Sequence, residues 1–375
     1  MIQIGGFKIE EQIYESVNSR IFRGKRITDQ APVIIKKISQ EYPSPDEIKQ
    51  FKQEYEVLSK LTTDGVVKAY ALERDGNSVV LVLEDRGAES LRKMYSGVNL
   101  EVIEFLEIAI QCAHILGQIH AARIIHKDIN PSNITFNVSD KKIQIIDFGI
   151  ATYLNKENPV IKNPSSLEGT LPYISPEQTG RMNRSLDYRT DYYSLGVSFF
   201  ELLTNEMPFY SEDPLEFIHS IITQEPRLVS SINKKIPEQV AAIISKLLAK
   251  NAEDRYQSSV GLIKDLEECL DQMKKKSKID FFPLGKFDVS QEFNIPQKLY
   301  GREKEVEWLL GHFDRYIDNF RRRSVAVTRQ IPIMLVSGYS GIGKSVLVQE
   351  LFKSITKRRG YYISGKFDQL QKNIP

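Results

Sequence analysis

The chain has 375 residues, 41% hydrophobic and 27% charged, with a formal net charge of +2. That length allows two or three domains, and the composition is ordinary for a soluble globular protein, which excludes disordered and collagen-like classes. So small a net charge gives no electrostatic reason to expect nucleic acid or an anionic membrane as partner.

Residues 7–83 read as strands with one helix. The runs 7–13, 20–25 and 33–38 are rich in β-branched and aromatic residues and are bounded by turn formers. Val33-Ile34-Ile35-Lys36 ends an apolar strand on a cation. Between 47 and 61 the pattern turns helical, with Phe51, Leu58 and Leu61 on one face. Glu54 falls on that face, whereas Glu56 points roughly 200° away at about 100° per residue. A carboxylate on a packed face needs a cation, and Lys36 is the one expected. Residues 79–83 form a short apolar strand leading into Glu84-Asp85-Arg86-Gly87. Residues 101–122 are again helical in spacing, which makes His114 and His120 packing residues rather than ligands.

Three short strings then follow in order: HKDINPSN (126–133), DFG (147–149) and SPE (175–177). Asp128 can accept a proton from an attacking hydroxyl, and Asn133, five residues on, can hold a magnesium ion. Asp147, after an apolar run, is a second candidate metal ligand. In this register the strings resemble the catalytic loop and activation segment of protein kinases. The resemblance implies a bilobal α+β kinase fold, with a β-rich N-lobe and a helical C-lobe. It implies ATP and Mg2+ as cofactors, with Lys36 on the α- and β-phosphates, tied to Glu54. Leu83 is then expected at the back of an adenine pocket, with Glu84 and Arg86 offering backbone bonds to the base. His126 is expected under the DFG turn, Glu177 paired with Arg255, and Asp191 anchoring the catalytic loop.

The sequence departs from that pattern in three places. The loop Tyr14-Glu15-Ser16-Val17-Asn18-Ser19 lacks all three glycines of a kinase phosphate loop. Asn18 is expected to take a left-handed turn, Ser16 or Ser19 to donate hydroxyl bonds, and Glu15 to threaten the triphosphate if it faces inward. Lys127 replaces an arginine that usually pairs with a phosphorylated residue, so phosphorylation at Thr152, Ser165, Ser166 or Thr170 is expected to matter less. Asn130 replaces a lysine that usually stabilises the γ-phosphate, which points to a slower enzyme or another cation there. The stretch 169–177 resembles the substrate-facing loop of serine/threonine kinases, with Thr170 against Asp128.

Helical pattern ends near Met273, and 281–295 read as a linker that packs on something. A new helix opens at 299–303 and runs through Trp308, and Arg321–Arg323 is expected in an exposed loop. Residues 333–337 read as an apolar strand. Gly338, Gly341, Gly343, Lys344 and Ser345 then complete a phosphate-loop pattern leading into a helix to about Ile355. Amides there curl round a β-phosphate, Lys344 reaches the β/γ oxygens and Ser345 can ligate magnesium. Only one further strand-like run follows (360–367), too little to bury a core, so the chain reads as a piece of a longer protein.

The strings IIHKDINPSNITF, EGTLPYISPEQTGRMNRSLDYRTDYYSLGV and GYSGIGKS resemble bacterial hybrid signalling proteins. Those join a serine/threonine kinase domain to an AAA-like ATPase module, often followed by sensory and histidine-kinase domains. The organisation implied is a kinase domain over 1–272 (N-lobe about 7–83, C-lobe about 88–272). A linker covers 273–298, and a truncated α/β P-loop module covers 299–375. Expected partners are a protein with a serine or threonine acceptor and, in a longer chain, the downstream ATPase and sensory domains. The alternative is a nucleotide-binding pseudokinase that regulates or docks the ATPase. Cys112 and Cys269 lie too far apart for a metal pair and read as buried thiols. With no leader and no apolar run expected to approach the 18 or so residues of a membrane span, the chain reads as cytoplasmic.

Overall fold

Alternating residues in the N-terminal segments produce strands with two usable faces. The computed structural model describes residues 3–98, 100–154, 167–182, 185–289, 301–322, 333–339 and 342–351, with 354, 355 and 358. β1 (Gln3–Ile4), β2 (Phe7–Glu15), β3 (Ser19–Arg26), β4 (Pro32–Ile38), β5 (Ala69–Asp75) and β6 (Ser78–Glu84) form one antiparallel sheet in the order β1-β2-β3-β4-β6-β5. Val80 and Val82 of β6 pack with Val33, Ile35, Phe7 and Phe22 on one face. Leu81 and Leu83 join the main core on the other.

That second face receives α1 (Pro45–Lys60), which buries Phe51, Glu54, Val57 and Leu58. Its start is set by a capping box. The Glu47 N–H donates to Ser44 Oγ at 3.3 Å, the Ser44 N–H donates to Glu47 Oε2 at 2.7 Å, and Pro45 occupies the first turn. Glu56 is exposed, as the helical spacing requires.

The second lobe is mainly helical. β7 (Glu89–Ser90) and α2 (Leu91–Tyr95) lead to α3 (Val102–Ala121), followed by the short strands β8 (Ile124–Ile125), β9 (Ile134–Asn137), β10 (Lys142–Ile145) and β11 (Thr152–Tyr153). These strands form two small sheets, β10-β9-β7 and β11-β8, that hold the loops between them. The helical layers are α4 (Arg189–Thr204), α5 (Pro214–Thr223), α6 (Val229–Ile232), α7 (Glu238–Leu247) and α8 (Ser259–Lys276). α4 is buried on nearly every side and serves as the axis of the lobe.

α3 corrects two expectations. It is long and apolar enough, by length and composition alone, to cross a membrane, although half of that stretch is buried within the lobe. His114 is exposed rather than packed, because it falls on the solvent side of α3, while His120 is buried as expected.

Beyond the second lobe, α9 (Glu303–Arg322) takes Arg321 and Arg322 into a helix, not a loop; Arg323 lies outside the described residues. Residues 333–339 form no strand among the described residues. A strand exists only against a partner ladder, and Ile333 and Leu335 stand 93% and 88% exposed. α10 (Lys344–Gln349) opens directly after the loop, with Ile355 in a further helical turn. The run 360–367 lies outside the described residues.

Close packing of α3 on α8 depends on Gly117, where a Cβ would stand 2.3 Å from Ser259 Oγ and 2.8 Å from its Cβ. Alanine favours a helix by about 1 kcal/mol over glycine, yet overpacking a core contact costs about 1–3 kcal/mol. Gly117→Ala is therefore expected to lower the urea midpoint with an unchanged slope; a raised midpoint would contradict this packing.

Candidate active site

Lys36 sits in the middle of β4, paired with Ile21 of β3 and Leu81 of β6, with its ammonium beneath the sheet. It is 6% exposed. Its Nζ donates to Glu54 Oε1 at 3.0 Å, to Glu54 Oε2 at 2.9 Å and to Asp147 Oδ1 at 2.8 Å. Burial alone would lower its pKa, but Asp147 and Glu54 outweigh it and hold the Lys36 pKa above its ordinary value. Burial likewise pushes the Asp147 carboxyl up, and Lys36 more than offsets it, leaving Asp147 more acidic than usual. For Glu54, burial wins and the carboxyl is raised.

Asp147 takes a left-handed backbone, φ 64°, which a non-glycine residue adopts only at a cost. The turn is held from both sides. The Gly149 N–H donates to Asp147 Oδ1 at 3.2 Å, and the fully buried Phe148 ring packs edge-on against His126 at 4.6 Å. His126 also lies 3.1 Å from Ile146 O through Nε2, so it does sit under the turn.

Asp128 is half-buried and accepts from Asn133 Nδ2 at 2.9 Å and from the Thr170 N–H at 2.8 Å. Burial raises its pKa, with the Thr170 bonds partly offsetting, which makes it a better proton acceptor than an exposed aspartate. Asn133 also spends Nδ2 on Asp128 O, at 2.9 Å. The Ile146 N–H donates to Asn133 O at 2.9 Å, which sets Asn133 beside Asp147. Asn133 Oδ1 and Asp147 Oδ2 have no hydrogen-bond partner among the described residues. Two hard oxygens in that position fit magnesium, which takes one or two protein ligands and completes its shell with phosphate and water. No group of three or more His, Cys, Asp or Glu suited to a metal occurs among the described residues.

The departures noted in the sequence have structural answers. Lys127 Nζ donates to Glu168 Oε2 at 2.9 Å, so an activation-segment carboxylate already meets that cation. Asn130 is turned into the loop, donating to Asp128 O at 3.1 Å and Thr170 Oγ1 at 3.4 Å while accepting from the Ser132 N–H at 2.9 Å. Asn18 is not left-handed. Instead Ser16 Oγ accepts from the Asn18 N–H at 3.3 Å and the Ser19 N–H at 3.0 Å, and the Ser16 N–H donates to Ser19 O at 2.8 Å. A serine-capped turn thus replaces the glycine turn. Glu15 faces solvent, paired with Arg20 at 2.9 Å. Ser165 and Ser166 lie outside the described residues.

Leu83 is buried in the core under the sheet, next to the connection between lobes. The side chains of Glu84 and Arg86 pair with each other at 3.0 Å, Glu84 N–H is taken by Lys68 O, and Asn137 Nδ2 donates to Arg86 O at 2.6 Å. Helix α1 is tied to the activation segment by Gln53, which no motif marks, through a bond from its Nε2 to Ala151 O at 2.9 Å.

The protein kinase domain family matches residues 7–270, and the AAA ATPase domain family matches residues 298–375. The chain belongs to the protein kinase family. Its kinase domain is followed by the start of an AAA-type domain. The hybrid signal transduction histidine kinase G of Dictyostelium discoideum is 31% identical over 75% of this chain and 10% of its own length. The peroxide stress-activated histidine kinase mak3 of Schizosaccharomyces pombe is 28% identical over 77% of this chain and 14% of its own. Serine/threonine-protein kinase PknL of Mycobacterium tuberculosis is 25% identical over 71% of this chain and 66% of its own. The chain therefore spans only a small part of the first two relatives.

The kinase domain supports its site with buried charge. Asp191, fully buried on α4, accepts from the His126 N–H at 2.9 Å and the Lys127 N–H at 2.8 Å, and contacts His120 Nε2 at 2.8 Å. Arg255 clamps Glu177 with two bonds, 2.6 and 2.8 Å.

In the AAA-type region, Lys344 Nζ folds back onto Gly338 O and Tyr339 O, both at 2.8 Å. A cavity of about 530 Å³ opens there, lined in part by Arg302, Trp308, Ser337, Gly343 and Lys344. Gly341 and the Ser345 side chain lie outside the described residues.

Burial pushes the Glu177 carboxyl up, but Arg255 outweighs it and holds the pKa at about 2. Because that is below its ordinary 4.5, the pair's contribution is fully present above pH 4.5 and is lost as pH falls towards 2. Arg255→Met leaves a buried carboxylate unpaired and is expected to cost about 3–5 kcal/mol at pH 7. Denaturant titrations at pH 7 and pH 3 should show that gap narrowing in acid; a gap independent of pH would contradict the assignment.

Proposed function

We propose that this chain is a serine/threonine protein kinase, with ATP bound between the lobes. Asp128 orients the acceptor hydroxyl and takes its proton as the oxygen attacks the γ-phosphorus. The new oxygen–phosphorus bond forms in line with the bond breaking to the β-phosphate. Lys36 releases Asp147, stays with Glu54 and positions the α- and β-phosphates. Asn133 and Asp147 would hold Mg2+, which supplies charge neutralisation on the phosphate oxygens when bound. Leu83 would border the adenine, with backbone groups of the 84–86 connection meeting its edge.

One observation carries this reading. Lys36, Glu54 and Asp147 meet in one largely buried cluster, and Asn133 bonds Asp128 on one side while its carbonyl takes the Ile146 N–H, next to Asp147, on the other. Serine or threonine specificity is supported by Thr170 docked on Asp128 and by relatives described as serine/threonine kinases. We place the kinase unit at about 1–272, a linker at 273–298 and the ATPase module from 299, in a longer signalling chain with sensory domains downstream. Gly338, Gly341, Gly343, Lys344 and Ser345 would hold a second nucleotide. The buried thiols Cys112 and Cys269, each with a pKa raised to about 12 by burial, suit the reducing cytoplasm.

The test is incorporation of labelled γ-phosphate into protein by the purified chain with ATP and Mg2+. Asp128→Asn is expected to lower it about 10²–10⁴-fold, and the product should be phosphoserine or phosphothreonine. Bound ATP without transfer, phosphotyrosine as the product, or incorporation that survives Asp128→Asn but is lost in Lys344→Ala would each contradict the proposal.

A further inference from the structure

We propose that Asp288, on the segment leading from the kinase domain towards the ATPase module, is a positioning residue for the substrate-facing loop. The inference rests on the kinase reading above and extends it to a residue beyond the kinase family match, which ends at 270.

Residues 278–289 run back along the helical lobe and are fastened to it at several points. Gln239 Nε2 donates to Phe282 O at 2.5 Å, and the Gly285 N–H donates to Asp265 Oδ2 at 2.8 Å. Asp288 is the last and most heavily bonded of these fastenings. Its carboxylate accepts from the Gln257 N–H at 2.9 and 3.0 Å, from the Ser258 N–H at 2.8 Å and from Ser258 Oγ at 3.0 Å. Lys246 Nζ lies 3.8 Å away. These amides precede the first turn of α8, where a carboxylate is electrostatically favoured. The approach is possible because residue 261 is glycine: a Cβ there would stand 2.5 Å from Asp288 Cβ.

The residue that Asp288 holds is not a bystander. Gln257 Oε1 accepts from Arg189 Nη1 at 2.6 Å, and Gln257 O accepts from Tyr188 OH at 2.8 Å. Arg189 O in turn accepts from Arg255 Nη1 at 3.0 Å, and Arg255 clamps Glu177. The same loop sends Gln178 Nε2 to Lys127 O at 3.0 Å, next to Asp128. A continuous line of hydrogen bonds, part-buried at its two ends and buried at Arg255, therefore runs from the linker carboxylate to the loop that receives the acceptor. Loss of Asp288 should loosen Gln257, then Arg189, then the 175–179 turn, weakening acceptor binding more than nucleotide binding.

The experiment uses the full chain carrying Asp288→Ala, Asp288→Asn, or Asp280→Ala as a control on the same segment. Hydrogen exchange should quicken at least tenfold in Asp288→Ala at residues 257–261 and also at 173–180. The KM for the protein acceptor should rise at least threefold while the KM for ATP stays within twofold. Asp288→Asn, which keeps one acceptor oxygen, should recover most of both effects, and Asp280→Ala should show neither. If Asp288→Ala does not fold, Gly261→Ala takes its place, since its methyl group displaces the segment. Faster exchange confined to 257–261 and the segment itself, or equal changes in both KM values, overturns the inference. Exchange is read without phosphotransfer, so an inactive wild type would count against the kinase reading and leave this one standing on its own measurement.

Discussion

The arrangement depends on one buried cation. A lone ammonium under a sheet is strongly unfavourable, so Lys36 requires Glu54 and Asp147, and each comes from a different element. Satisfying it fixes the rotation of α1 about its axis, the distance of α1 from the sheet and the left-handed turn at Asp147. A neutral residue at 36 would pack more easily and specify none of these. The charge also remains exchangeable. On the function proposed above, a phosphate replaces Asp147 as partner, so the cluster that orders the cleft would also be the one that receives nucleotide.

The helical lobe follows the same logic with different residues. Asp191 and Glu177 are buried carboxylates, and each is fully matched, the first by backbone amides and His120, the second by Arg255 and Thr190. Well-packed apolar residues would give comparable stability. Buried carboxylates instead fix where loops sit, because a misplaced loop leaves a buried charge without its donors. The catalytic loop, the substrate-facing loop and the linker at Asp288 are all held in this way.

Much of this was legible in the sequence where a residue must satisfy a demand set by its immediate surroundings. The helical period put Glu54 on the packed face and Glu56 in solvent, and that sufficed to choose the partner of Lys36. The start of α1 was also readable, since Ser44, Pro45 and Glu47 spell a capping box, although the helix was expected only from 47. What failed depended on partners remote in sequence. Residues 333–337 have the composition of a strand, but no described segment pairs with them. His114 shares the period of α3 and misses the core by one face. Glu168 and Asp288 are ordinary acids in the sequence, and their roles appear only once Lys127 and Gln257 are placed opposite them. The serine-capped turn at Ser16 needed side-chain geometry that no glycine count supplies.

The central claim, that the buried cation switches partner from Asp147 to nucleotide, is tested most directly by a crystal structure of the chain with Mg2+ and a non-hydrolysable ATP analogue. The account predicts Lys36 Nζ still bonded to Glu54, moved off Asp147 Oδ1 and onto a phosphate oxygen, with the metal between Asn133 and Asp147. A nucleotide bound elsewhere while Lys36 and Asp147 remain hydrogen-bonded would contradict it.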